Sequence, residues 1–195
     1  QVWTLIYMFP GRLGMTVIGE NGGIVMRDGV EVSSSPLDAP TMREAVRLVR
    51  EATSGPDGID GGLVMCGKQF AYVERTDDRF VDGVMPYYHR TKRVEDQNAI
   101  IDAIEAGEID DAIVKLAVYV IGPVRALAEA TLANFADTHQ YAISGANWAD
   151  LQIRGVDKGS AVRDLQRFLG VDRSQTAVFG DAGNDLSMMS EGDLS

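Results

Sequence analysis

The sequence predicts an α/β fold in which a parallel-sheet domain, residues 1–37 and 149–195, is interrupted by an inserted α/β domain, residues 38–148. Three observations carry this expectation. Apolar segments of strand length alternate with segments of helical period along most of the chain. Near the C-terminal end, the short apolar run "TAVFG" opens into the Gly-rich acidic loop "DAGND", as a parallel strand does where ligands bind. The middle block carries hairpin signals that differ in character from the two ends, and insertion costs little when the inserted termini lie close together.

The elements follow in order. Apolar residues at 2, 3, 5, 6, 8 and 9 suit a buried helix about as well as a strand, until "PGRLG" stops the segment. "TVIGENGGIVMRDGVEV" reads as a strand, a Gly-rich turn and a hairpin closed by Asp28-Gly29. The connector "SSSPLDAP" leads to a helix in which Met42, Ala45, Val46, Leu48 and Val49 form one apolar face behind a capping-box-like Thr41 and Glu44. The loop "TSGPDGIDGG" precedes a hairpin, "LVMCG" with "FAYVE". Mixed helical stretches then run through "RFVDGVMPYYHR" and "VEDQNAIIDAIEAGE". A strong strand, "AIVKLAVYV", leads to a helix at 123–136 and strands near 140–144 and 149–153. The last part is the amphipathic helix "KGSAVRDLQRFLG", the strand "TAVFG" and the start of a helix after "DAGND".

At 195 residues and 45% hydrophobic composition the chain can bury a real core. Eighteen basic against 29 acidic residues give a net charge of -11, which argues against a nucleic-acid partner or an anionic membrane surface. A single cysteine, Cys66, forms no internal disulfide and points to a reducing, cytoplasmic setting. No apolar run reaches membrane-spanning length.

The chemistry concentrates near the C-terminal end. Asp181, just past an apolar strand, is well set to hold a hard cation such as Mg²⁺, which takes oxygen ligands and keeps waters and phosphate in its shell. Asn184 and Asp185 can cap the next helix, contact a ligand or orient a neighbour. Taken alone, "DAGND" is equally an ordinary strand-to-helix loop. Lys158 shifts that balance. It sits in the first turn of the preceding helix, where a cation works against the helix dipole, and an anion shared with the free backbone N–H groups would explain its place. The bland reading of Lys158 is a solvated lysine. Asn21, in "GENGG", is either a tight-turn residue or part of an active-site turn.

The stretch "VDKGSAVRDLQRFLGVDRSQTAVFGDAGNDLSMM" resembles the third and fourth motifs of the haloacid dehalogenase superfamily of phosphotransferases, and more narrowly the Cof-type sugar phosphatases. "MFPGRLGMTVIGENGGIV" resembles the segment after that family's second motif. "LVMCGKQFAYV", "YYHRTKRV", "IVKLAVYV" and "SGANWADLQIRG" resemble its inserted cap. The resemblance implies a Rossmann-like core with an α/β cap and a Mg²⁺-dependent phosphatase acting on small phosphorylated metabolites, above all sugar phosphates. By position, Lys158 resembles the lysine that binds the transferring phosphoryl group and steadies the nucleophile. Asp181 resembles the metal ligand, Asn184 the substrate-contacting asparagine and Asp185 its supporting acid.

The family's nucleophile and its acid/base partner form an Asp-x-Asp pair at the end of the first strand, and no apolar strand of this sequence ends that way. The nearest acidic cluster, with Asp57 and Asp60, reads as a loop. The sequence, which opens at Gln1 inside an apolar segment, is therefore expected to be incomplete at both ends, with the nucleophile upstream and the 195 residues alone inactive. The alternatives are a phosphomutase of the same superfamily and a binding protein without turnover. Substrate identity and oligomeric state are not legible in the sequence.

Overall fold

A computed structural model describes residues 2–181 and 183–194. The elements in chain order are α1 (Val2–Met8), β1 (Thr16–Gly19), β2 (Ile24–Arg27), β3 (Val30–Ser34), α2 (Ala39–Thr53), β4 (Gly61–Gly67), β5 (Ala71–Val73), α3 (Asp78–Val84), β6 (Thr91–Arg93), α4 (Gln97–Glu105), β7 (Ile113–Val120), α5 (Arg125–Ala130), β8 (His139–Ile143), β9 (Trp148–Ile153), α6 (Lys158–Leu169) and α7 (Leu186–Met189). They fall into two compact units: residues up to Ser35 with those from Gly155 onward, and the inserted unit Pro36–Arg154. This is the mixed α/β architecture that the alternation predicts.

The inserted unit is built on a six-stranded sheet of order β6-β5-β4-β7-β9-β8. Its ladders are antiparallel except for β5 with β6, which run parallel. One face of the sheet carries Leu63, Met65, Leu116, Val118 and Leu151, which pack with α2, α4 and α5 into the larger apolar core. Helix α2 joins this core through Met42, Ala45, Val46 and Val49, one stripe of 3.6-residue period. Its N-cap is Asp38, whose carboxylate accepts the Thr41 N–H at 2.8 Å, and Pro40 follows where its missing N–H costs nothing. The expected capping box of Thr41 and Glu44 is therefore corrected: Thr41 lies inside the helix, and the stronger signal is aspartate two residues before proline.

The opposite face holds a smaller cluster in which Val64, Cys66, Ala117 and Val73 pack against Phe80, Val81 and Tyr88. It also holds a buried charge. Lys115 is 1% exposed and lies 3.4 Å from Asp150 Oδ1 on the adjoining strand β9. Asp111 fixes the β4–β5 turn by accepting from the Gln69, Phe70 and Ala112 N–H groups and from the Tyr72 hydroxyl at 2.8 to 3.1 Å.

Two further boundaries move. The helix expected at 123–136 breaks at Thr131, which departs from helical backbone at φ -121 and ψ -75, so that α5 gives way to a 3-10 turn at Leu132–Phe135. Strand β9 pairs with β7 and β8, so the boundary expected after residue 148 would cut it from its own sheet; the division falls after Arg154.

The other unit contains a three-stranded antiparallel sheet, β1-β2-β3. Asp28 and Gly29, at φ 51 and φ 81, close the β2–β3 hairpin as the Asp-Gly pair predicts. The first apolar segment is helix α1. "TAVFG" does not form the strand expected of it: Ala177 makes a single parallel bridge to Leu194, Val178 is buried and Phe179 is 80% exposed. A strand is stabilised by ladders to its neighbours. Among the described residues this segment has only the one bridge. Ala182, in the middle of the "DAGND" loop, lies outside the described residues.

Candidate active site

The site is assembled in the unit formed by the two ends of the chain. Asp157 caps α6: its Oδ1 accepts the Ser160 N–H at 2.8 Å, while Ser160 Oγ accepts the Asp157 N–H at 2.9 Å. The Gly159 N–H donates to Ser187 Oγ at 3.1 Å. These partners correct one expectation. The amides of Gly159 and Ser160 are bonded within the protein, so they do not form the open cradle of N–H groups expected at this helix start.

The structure also explains why a cation stands there. Lys158 Nζ lies 2.5 Å from Asp185 Oδ1, so the carboxylate offsets both the charge and its unfavourable position on the helix dipole. The other carboxylate oxygen, Oδ2, accepts the Asp181 N–H at 3.2 Å. Asp185 is 7% exposed and thus a buried, internally bonded acid, not a side-chain cap of α7.

Glycines permit this closeness. A Cβ at Gly180 would stand 2.5 Å from the Asp185 Cβ. One at Gly22 would stand 2.1 Å from the Asp157 carbonyl oxygen, and Gly22 has φ +101, a conformation that side chains disfavour. Gly22 thus lets the turn Glu20–Gly22 lie against the start of α6. Glu20 and Asn21 in that turn are left-handed at φ 49 and φ 51, which costs on the order of 1 kcal/mol each and requires the surrounding contacts to hold them.

A cavity of about 450 Å³ results, lined by Ile18, Asn21, Lys158, Asn184, Asp185 and Met188. Four of the five residues singled out from the sequence therefore share one space. The fifth, Asp181, is exposed and is joined to the cavity wall through its N–H bond to Asp185. Among the described residues no group of three or more His, Cys, Asp or Glu is placed to hold a metal ion. Sequence reasoning missed Gly22 and Ser187, whereas the glycine before Asp181, Gly180, is read from the sequence as a place where the backbone turns closely. The Gly22-Gly23 pair was a signal for the first; Ser187 left none.

The chain thus has two compact units, one interrupting the other, and the divided unit holds Lys158 and Asp185 at one cavity. Residues 5–195 match the family model of haloacid dehalogenase-like hydrolases, and the chain belongs to that family. It is 30% identical over 198 residues to the Escherichia coli (strain K12) 5-amino-6-(5-phospho-D-ribitylamino)uracil phosphatase YbjI, covering 100% of this chain and 68% of that protein. A haloacid dehalogenase-like hydrolase from Bacillus subtilis superposes with a TM-score of 0.76 at 14% identity, over 97% of this chain and 71% of the other. A haloacid dehalogenase subclass IIB sugar phosphatase gives a TM-score of 0.64 at 15% identity, over 91% of this chain and 61% of its own length. The last two likenesses are of fold. No helix among the described residues is long and apolar enough to cross a membrane.

Proposed function

We propose that this protein is a Mg²⁺-dependent phosphatase of small phosphorylated metabolites, sugar phosphates or phosphorylated polyol derivatives, working in the cytoplasm through a phospho-aspartyl intermediate. The observation that carries the reading is the Lys158–Asp185 pair at one cavity with Asn21 and Asn184. The phosphatase relative, whose substrate is a phosphorylated ribityl compound by its name, supports the substrate class.

In this reading Lys158 binds an oxygen of the transferring phosphoryl group, and Asp185 holds the ammonium in place. The Asn184 amide contacts the substrate, and Asn21 borders the space it enters. Asp181 supplies one carboxylate to Mg²⁺. An exposed carboxylate whose own N–H is bonded to Asp185 fits that ion, which needs only one or two carboxylates when phosphate and water fill the rest of its shell. Bound Mg²⁺ would supply neutralisation of the developing phosphoryl charge. Among the described residues no strand ends in the Asp-x-Asp pair from which the phospho-aspartyl intermediate would form.

The test is Asp181→Ala in the full-length protein. Mg²⁺-dependent hydrolysis of an aryl phosphate should be lost. Near-normal hydrolysis would remove the assigned metal role, and binding of a sugar phosphate without release of inorganic phosphate by the unaltered protein would replace the phosphatase reading with a binding protein.

A further inference from the structure

Beside the Lys158–Asp185 pair, helix α6 makes a row of polar contacts to the last part of the chain. Gly159, Arg163 and Gln166 are spaced four and three residues apart, which places them on one face of the helix. The Gly159 N–H donates to Ser187 Oγ at 3.1 Å, and the Arg163 guanidinium pairs with the Glu191 carboxylate. Gln166 donates its side-chain amide to Glu191 O at 2.7 Å and to Thr176 Oγ1 at 2.9 Å.

These contacts differ in their distance from the cavity. Ser187 bonds the residue next to Lys158, and it follows Asp185 and precedes Met188, both of which line the cavity. The approach there is of backbone to backbone, since a Cβ at Gly159 would stand 2.4 Å from the Ser187 carbonyl oxygen. That carbonyl also accepts the Ser190 hydroxyl at 2.9 Å. Gln166 stands about 12 Å along the helix axis from Lys158. It holds the same elements together, but away from the proposed chemistry.

The Gly159 contact meets a need of the helix itself. The first N–H groups of an α-helix have no partner within it, and Gly159 is buried. Ser187 Oγ supplies the acceptor. Without that hydroxyl the start of α6 has to shift, or to admit water, before the amide is satisfied again. Lys158, one residue earlier, moves with it. In group transfer a misplacement of about 1 Å can cost about 10²-fold in rate.

We propose that Ser187 is a positioning residue: its hydroxyl fixes the start of α6 against α7 and so sets the Lys158 ammonium on Asp185. The effect on rate rests on the phosphatase reading above; the effect on the lysine does not. Ser187 acts through Lys158 and makes no contact with the substrate in this role.

The experiment compares Ser187→Ala with Gln166→Ala in the full-length protein, at a temperature where circular dichroism shows both folded. Ser187→Ala should lower kcat for an aryl phosphate by at least about tenfold, and Gln166→Ala by no more than about twofold even where its urea midpoint falls as far. Added to Lys158→Ala, the Ser187→Ala change should cost no more than about twofold further, because both act through one ammonium. A smaller loss in Ser187→Ala, an equal loss in Gln166→Ala, or a full further loss in the double variant would overturn the proposal. The lysine is also read without turnover. In protein labelled with ¹³C at lysine Cε, the NMR signal missing from Lys158→Ala identifies Lys158; it should move in Ser187→Ala and keep its place in Gln166→Ala. An unmoved signal in Ser187→Ala overturns the positioning role. A moved signal in a protein that hydrolyses no phosphate ester keeps that role and removes the phosphatase reading.

Discussion

Lys158 Nζ and Asp185 Oδ1 stand 2.5 Å apart across 27 residues of sequence, and the second oxygen of the same carboxylate takes the N–H of Asp181. One buried acid therefore orients both the proposed phosphate-binding lysine and the backbone of the proposed metal ligand. Asp185→Asn keeps the shape and removes the charge, and a supporting group of this kind commonly contributes about 10- to 100-fold to activity or metal affinity. Lys158→Ala, which removes the charge proposed to meet the phosphoryl group, should cost about 10²- to 10³-fold in kcat. Steady-state hydrolysis of an aryl phosphate, with far-UV circular dichroism as the control for folding, checks both. Unchanged kcat in Lys158→Ala would detach the lysine from catalysis.

The turn at Glu20–Gly22 makes a separate prediction about stability. Gly22→Ala places a Cβ 2.1 Å from the Asp157 carbonyl at a backbone angle, φ +101, that alanine disfavours. Neither atom is the end of a flexible side chain, so the backbone itself has to move. A loss of about 2 kcal/mol or more is expected, together with displacement of Asn21. Gly29→Ala, in the open hairpin turn where a Cβ meets nothing within 4 Å, is the comparison and should cost less. Equal urea midpoints for the two variants would refute the close-approach argument.

These two sites show what was legible in the sequence. Lys158, Asp181, Asn184 and Asp185 stand in a motif with fixed local spacing, so their neighbourhood could be read from residue type and order. Hairpins closed by Asp-Gly, and helices with one apolar stripe, were readable for the same reason. What could not be read depended on pairing at a distance. "TAVFG" has strand composition, yet composition supplies no neighbour, and Ala177 finds only Leu194. The strand Thr91–Arg93, three residues with two charges, exists because β5 lies beside it in parallel register. The use of the Gly159 amide by Ser187, 28 residues away, was likewise invisible to local reasoning.

Lys115 tests a different point, the energetics of a buried ion pair. It lies on β7, across from Cys66 on β4, with Asp150 at 3.4 Å and the Tyr88 ring centre at 5.8 Å. Removing one partner leaves the other charge buried, so Lys115→Met and Asp150→Leu should each cost about 3 to 5 kcal/mol. The double variant replaces both charges by apolar groups and should recover most of that loss. Urea denaturation of the three variants gives the coupling. Additive losses in the double variant would show that the pair does not act as a unit.

Tyr72 gives the protein a calculable alkaline limit. Its hydroxyl is pushed well above the ordinary 10.0, first by burial and then by the hydrogen bond it donates to Asp111. The folded state therefore keeps this proton where the unfolded chain loses it. Above about pH 10 the unfolded state binds fewer protons than the native one, so stability falls as pH rises, by up to about 1.4 kcal/mol per pH unit for one such group. Below that range the contribution is fully present. Tyr72→Phe removes the ionisable group, so it should be less stable near neutral pH by about 1 kcal/mol for the lost hydrogen bond, yet show a shallower decline above about pH 10. Urea midpoints at about pH 8 and about pH 11 measure both effects, and because the other titrating groups are common to the two proteins they cancel in the difference. Parallel declines in the two proteins would mean that Tyr72 ionises in the folded state as it does in the unfolded one.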